Sequence, residues 1–209
     1  MNIGILGGTG RTGKTLRTHF LNTGNAVISL IRHPEKFIAE SEKDTFIIGS
    51  ATNSSDITVL ITQIDILIDA TSVGFFHKKP TSLYSSVAQA IVNARLAGKN
   101  QHIIVMSSAG THHGRTLPRP ANQGYEYFLG DVANDKEKAE AILEASALPR
   151  TIIKSPLLTN GPAKKYSIQD FETYRPSLFD TISRESLGDV VSEIIENQKK
   201  WNHKKIVAC

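Results

Sequence analysis

The feature that most constrains this chain is a run of glycines, Gly7-Gly8-Thr9-Gly10-Arg11-Thr12-Gly13. An apolar stretch, Ile3-Gly4-Ile5-Leu6, leads into it. Residues 11–23 follow, with Leu16, Phe20 and Leu21 on one helical face and Gly24 as the stop. The local order is therefore strand, glycine turn, helix. In such a turn one glycine takes a backbone angle that other residues avoid. A second lets a phosphate approach the backbone, and a third lets the helix pack on the strand. The start of the helix then offers free N–H groups and partial positive charge to an anion.

The spacing admits two chemistries. Gly7, Gly10 and Gly13 read G-x-x-G-x-x-G, and Gly8, Gly10 and Gly13 read G-x-G-x-x-G, the pattern of a dinucleotide turn. Gly8 to Thr15 also satisfies the P-loop pattern of NTPases and kinases. In that reading Lys14 reaches the β/γ-phosphates, Thr15 ligates magnesium and Asp69 is a second anchor for the metal.

The rest of the chain alternates short apolar runs with amphipathic stretches. Strands are expected at 26–31, near 45–48, and at 65–69, 102–106, 151–154 and 205–208. Helices are expected at 54–62, 81–97 (ending at Gly98), 131–146 and 187–197. Apolar strands alternating with helices predict a doubly wound parallel sheet of the Rossmann type, in one domain over residues 1–209. Residues 110–130 and 155–185 read as irregular. They follow the fifth and sixth strands, so they belong at the carboxyl edge of the sheet, where ligands bind, with 155–185 on the substrate side.

Residues at that edge favour the dinucleotide. The second strand runs into Arg32, where an NAD site usually carries an acid. A guanidinium there suits the 2′-phosphate of NADP(H), and Arg11 can add a second cation. The fifth strand runs into Ser107-Ser108-Ala109-Gly110, which puts hydroxyls where a nicotinamide lies. A net charge of +4, scattered among acids, argues against nucleic acid and allows a small anionic ligand. One cysteine, Cys209, excludes an internal disulfide and suits a reducing cytoplasm. No basic-then-apolar leader and no membrane-length apolar run is present. The expected partners are a small-molecule substrate and copies of the chain in a small homo-oligomer, if the chain is not a monomer.

These segments together resemble the atypical short-chain dehydrogenase/reductases, most of all the NAD(P)H-binding, NmrA-like group that includes flavin reductase/biliverdin reductase B. The resembling residues are 7–13, Arg32-His33-Pro34-Glu35-Lys36, 107–110, and residues 138–146 running into Thr151-Ile152-Ile153-Lys154-Ser155-Pro156. The resemblance implies that Thr9, Gly10, Arg11, Thr12 and Gly13 hold the pyrophosphate and that Arg32 holds the 2′-phosphate. It implies that Ser50, Ala51, Ala70, Thr71 and Ser72 flank the adenine and ribose, that Ser107 lies near the nicotinamide, and that Pro156, Leu157 and Leu158 cover its carboxamide. The Tyr-x-x-x-Lys pair of the wider superfamily is missing: Val132 and Asn134 stand four residues before Lys136 and Lys138, and Tyr125 and Tyr127 fall in the expected loop. The Asp that often follows Gly49 is missing too.

Several further residues carry two readings. Lys136, taken as the start of its helix, is a catalytic or ribose-binding group, or a solvated lysine paired with Glu140 one turn on. His112 and His113 are substrate contacts or solvated loop residues. Phe75 and Phe76 stack on a flat substrate or pack internally. Tyr166, Phe171, Tyr174 and Phe179 fit no single period, and packing is the default for them. No metal site is expected. Three functions follow: an NADPH-dependent reductase of a flavin, quinone or similar acceptor, with Ser107 and Lys136 at the reacting centre; a non-catalytic NADP(H)-binding regulator; or a P-loop enzyme.

Overall fold

The computed structural model describes residues 1–74, 79–95, 101–111, 121–175, 177 and 179–209; for residues 95 and 121–129 only the backbone is described. Its strands are β1 (Asn2–Leu6), β2 (Ala26–Ile31), β3 (Asp44–Ile48), β4 (Ile66–Asp69), β5 (His102–Ser108), β6 (Arg150–Ser155), β7 (Leu157–Thr159), β8 (Ile168–Asp170), β9 (Thr181–Ser183) and β10 (Lys204–Ala208). Its helices are α1 (Arg11–Asn22), α2 (Ser54–Ile61), α3 (Leu83–Arg95), α4 (Ala121–Ala145), α5 (Arg184–Glu196) and the short α6 (Gln198–Trp201).

Eight strands form one sheet in the order β3-β2-β1-β4-β5-β6-β10-β8. All neighbours are parallel except β8, which runs antiparallel to β10. Strand order reverses between β1 and β4, which opens a crevice beyond their carboxyl ends. The apolar runs noted above are the central strands, and they are buried on both faces. One face carries Leu6, Leu67, Ile103, Val105 and Ile152 under α2, α3 and α4. The other carries Ile3, Ile5, Ile68, Ile104 and Ile153 under α1 and α5. Phe20, almost fully buried, locks α1 to that second core.

Three expectations fail in instructive ways. The fourth helix begins at Ala121 rather than 131. It runs through Gly124 and Gly130, but a glycine inside a helix costs only about 1 kcal/mol, and packing of α4 along α3 outweighs that. Tyr125 and Tyr127 are thus helical and Lys136 is mid-helix. The segment 155–185 is not wholly irregular either. It holds β7 and β9, which pair with each other, and the edge strand β8. Three-residue strands are too short to show a period. Likewise α5 starts at Arg184, three residues early, because Ser183 caps it by accepting from Ser186 N–H.

Candidate functional site

The glycine turn joins β1 to α1 by close backbone contact. Gly7 has φ +80, and a Cβ there would lie 2.7 Å from the Ala70 carbonyl oxygen. A Cβ on Gly13 would lie 2.8 Å from Gly8 Cα, so only glycine lets α1 sit this close to the turn. Gly10 N–H donates to the Gly7 carbonyl at 2.9 Å. Gly10 is also the N-cap of α1; no side chain caps the helix and no acid occupies its first turn. The positive end of α1 therefore faces outward without an internal counter-charge.

That end opens into a cleft of about 990 Å3 at the carboxyl edge of the sheet. Nearly all of the expected cofactor residues line it: Gly7, Thr9, Gly10, Arg11, Thr12, Arg32, Ser50, Ala51, Ala70, Thr71, Ser72, Ser107, Pro156, Leu157 and Leu158. Gly13 does not. It lies beneath the turn as a packing residue. Lys136 lines the cleft as well. Phe75, Phe76, His112 and His113 lie outside the described residues. Lys14 is exposed and Thr15 donates back to the Arg11 carbonyl at 3.2 Å; neither lines the cleft. Asp69 is buried and accepts from Thr71 N–H at 3.0 Å. The lysine, hydroxyl and acid of a P-loop are not brought together.

At the β2 end, Arg32 is joined by His33 and Lys36, which the sequence reading left without a role. Their backbone is held from below. Arg17, fully buried, is paired with Asp44, donates to the Ile38 carbonyl at 2.7 Å and lies 4.0 Å from the centre of the Phe37 ring. After Gly49, Ser50 N–H donates to Asp56 of α2 at 2.8 Å; Asp56 does not line the cleft.

The β5 end is built differently. Ser107 Oγ donates to Glu140 of α4, whose carboxylate pairs with Lys154 of β6 at 2.8 Å. Lys154 Nζ also meets Thr111 Oγ1 and lies 4.1 Å from the centre of the Phe171 ring. Burial pushes the Lys154 ammonium below its ordinary pKa, and Glu140 opposes that. Glu140 is therefore bonded to Lys154 rather than to Lys136. Lys136 is half-buried, its Nζ 5.0 Å from the centre of the Tyr84 ring. Burial lowers its pKa to about 8 against the attraction of Glu140 and Asp69. Burial also raises Asp69 and Tyr84. Neighbouring Asp135 fixes this part of α4 by accepting from Tyr84 N–H at 2.8 Å and Ser85 Oγ at 2.5 Å, at the start of α3.

Arg184, at the start of α5, closes the far wall. It donates to the Thr159 carbonyl at 3.1 Å and Asn160 Oδ1 at 2.7 Å. Burial and the nearby charge of Arg11 lower its pKa. Tyr174 and Phe171 are buried together in one apolar cluster, as packing requires, and Tyr174 also lines the cleft and donates to Asp180; Phe179 is exposed. Thr111, Tyr84 and Arg184 were not singled out from sequence, Glu140 entered only as a partner for Lys136, and Lys154 only within the resembling run. Lys154 left a signal: a lysine in the apolar strand Thr151-Ile152-Ile153-Lys154 must find a buried partner.

The residues fit a nicotinamide dinucleotide. The turn is a cradle that a Cβ would fill, the helix end lacks a cap, and Ser155 Oγ at the cleft is buried without a partner. Among the described residues no cluster of His, Cys, Asp and Glu could hold a metal ion, and no helix is long and apolar enough to cross a membrane.

Fold and cleft together define a Rossmann-type protein that binds a nicotinamide cofactor. The sequence matches the profile of the NAD(P)H-binding family over residues 7–198, and the chain belongs to that family. No curated protein matches the sequence significantly. Several solved structures share the fold. An oxidoreductase from Lactococcus lactis superposes with a TM-score of 0.80 at 19% identity, over 100% of this chain and 90% of that one. A short-chain dehydrogenase/reductase from Veillonella parvula, solved with NADP, gives 0.76 at 18%, over 99% and 93%. A protein from Streptococcus pneumoniae, provisionally named an NADH-flavin reductase, gives 0.75 at 16%, over 100% and 98%.

Proposed function

We propose that this protein is an NADPH-dependent oxidoreductase that reduces a flat conjugated acceptor, such as a flavin or quinone. The observation that carries the reading is the continuity of the cleft. It runs from the cations Arg32 and Lys36 and the imidazole of His33, past the uncapped end of α1, to Ser107 and Lys136. A cation at the end of β2 complements a 2′-phosphate and leaves a bare ribose hydroxyl without its usual acceptor. The volume, about 990 Å3, is at the upper end of the ~300–1,000 Å3 usual for ligand sites, in keeping with a dinucleotide-sized ligand.

When bound, the reduced nicotinamide supplies a hydride. The protein's share is orientation, exclusion of water and custody of a proton. Ser107 orients the nicotinamide end. Lys136 Nζ, with a pKa of about 8, holds a transferable proton at neutral pH without being locked in an ion pair. The Asp180-bound Tyr174, the Leu157–Leu158 wall and Arg184 form the acceptor side. The test is NADPH oxidation with a panel of FMN, FAD, quinones and dyes, beside calorimetric titration of NADPH, NADH and MgATP. Turnover with at least one flat acceptor and a preference for NADPH over NADH are expected. Tight MgATP binding without an NADPH response overturns the reading.

The missing Tyr-x-x-x-Lys pair supports a second reading, a non-catalytic NADP(H)-binding regulator. NADPH binding with no oxidation by any acceptor would establish it.

A further inference from the structure

Ser107 and Lys154 are cross-strand partners on β5 and β6, so they project from the same face of the sheet. Glu140 comes down onto that face from α4. Lys154 is 0% exposed and Glu140 2%. The ammonium has three N–H donors, and all three are used: on Glu140 Oε1 at 2.9 Å, on Glu140 Oε2 at 2.8 Å and on Thr111 Oγ1. Thr111 in turn donates to the Ser108 carbonyl at 2.7 Å. Lys205 Nζ stands 3.9 Å from the same Glu140 Oε2 and is itself paired with Glu144 at 2.5 Å.

Such a pair is a poor device for stability. Desolvating two charges costs about as much as their attraction returns, and apolar residues of the same volume do as well or better. A leucine or methionine in place of Lys154 would extend the apolar run of β6. What the pair provides that an apolar filling cannot is an anionic oxygen, Glu140 Oε1, directly beside the Ser107 hydroxyl. A serine hydroxyl has one proton and two lone pairs. A hydrogen bond to a carboxylate is charge-assisted and holds that proton firmly. The side of Ser107 that lines the cleft is left with lone pairs alone.

We infer that Ser107 acts in the cleft only as a hydrogen-bond acceptor, and that the buried Glu140–Lys154 pair fixes this polarity as a positioning unit. The inference rests on the reading that Ser107 faces the nicotinamide end of the cofactor. The ligand group it takes is an N–H or O–H donor: a primary carboxamide or a ribose hydroxyl. Ser107 cannot pass a proton to the acceptor, because its only proton is held by Glu140. That task falls to another group, and Lys136 is a titratable neighbour lining the same cleft.

The test is a double-mutant cycle on the full-length protein, read as the calorimetric Kd for NADP+. Removing both charges together, as Glu140→Gln with Lys154→Met, avoids stranding either one, and a thermal melt checks that each variant folds. Ser107→Ala is expected to weaken NADP+ by ~10-fold, the worth of one hydrogen bond. The charge-free double variant is expected to weaken it similarly, and the triple variant to be no weaker than either. Ser107→Thr, which keeps the hydroxyl, should retain wild-type affinity. The acetylpyridine analogue of NADP+, which lacks the carboxamide N–H, separates the two donor sources: a ~10-fold loss that vanishes in Ser107→Ala identifies the carboxamide, and no loss identifies the ribose hydroxyl. Multiplying effects in the triple variant, or wild-type affinity in the double variant, would overturn the coupling alone. Wild-type affinity in Ser107→Ala would remove the placement of Ser107 as well.

Discussion

The two ends of the cleft are built on opposite principles. At the β2 end, Arg32, His33 and Lys36 are exposed, close together in sequence and mounted on a turn that Arg17 and Asp44 brace from below. At the β5 end, Ser107, Thr111, Glu140 and Lys154 are buried and drawn from two strands, a turn and a helix. Exposed cations can meet a highly charged group, and water screens them when it is absent. Buried groups hold one geometry, but each must be satisfied by another. The first end is suited to grasping a phosphate, and the second to aiming a ring.

Mutations can break this contrast, the strongest acting between the two ends. Gly13→Val places a side chain against Gly8 Cα and should cost about 1–3 kcal/mol of stability through overpacking. Because it displaces α1 from the turn, NADPH binding should fall below detection in calorimetry; retained binding would show that the turn is not the phosphate cradle. Arg32→Ala should weaken NADPH by ~10–100-fold, the loss of a charge-assisted contact, and NADH much less. Equal losses would remove the 2′-phosphate assignment.

At the other end Lys136 gives a pH signature. Its folded pKa of about 8 lies below the ordinary 10.5, so it loses its proton as pH rises through about 8. If it donates the proton, kcat should fall above that pH, and Lys136→Met should lower kcat by roughly 100-fold at neutral pH and abolish that limb. An unchanged profile in Lys136→Met would exclude the role.

Away from the cleft, His102 is buried, with its pKa lowered to about 4 by burial and by His203, and its ring bonded to Thr151 Oγ1 at 2.8 Å. The folded state binds the proton less readily than the unfolded chain. Its contribution to stability is therefore present above pH 6.5 and lost as pH falls from there through about 4. Denaturant midpoints across that window should drop less in His102→Gln than in wild type. The smallest effect is expected for Lys14→Ala, which should leave the Kd for NADPH within about twofold, as for a surface substitution. A large loss would return the P-loop geometry to consideration.

The β2 end was largely legible because its information is local. A strand, a turn and a charge within a few residues suffice, and Arg32 could be placed by counting. Lys36 and His33 were given no role beyond the resembling run because exposed polar residues look alike in sequence. The β5 end was legible only in part. Ser107 followed from the edge of the sheet, but Lys136 carried two readings, a catalytic or ribose-binding group and a solvated lysine paired with Glu140 by helical spacing. Burial decided against that pairing: the fully enclosed Lys154 has the greater need of that carboxylate, and Lys136 can still reach the cleft.

The sequence by itself determined the strand-turn-helix at the start of the chain, the parallel sheet and the edge at which ligands bind. Those are set by periodicity and by glycine sterics, which act over a few residues. Only the tertiary structure showed that Lys14, Thr15 and Asp69 do not line the cleft, that α4 runs through Gly124 and Gly130, and that Glu140 belongs to Lys154. Each of those depends on which groups, far apart in the chain, must share a space without water, and the folded chain settles that.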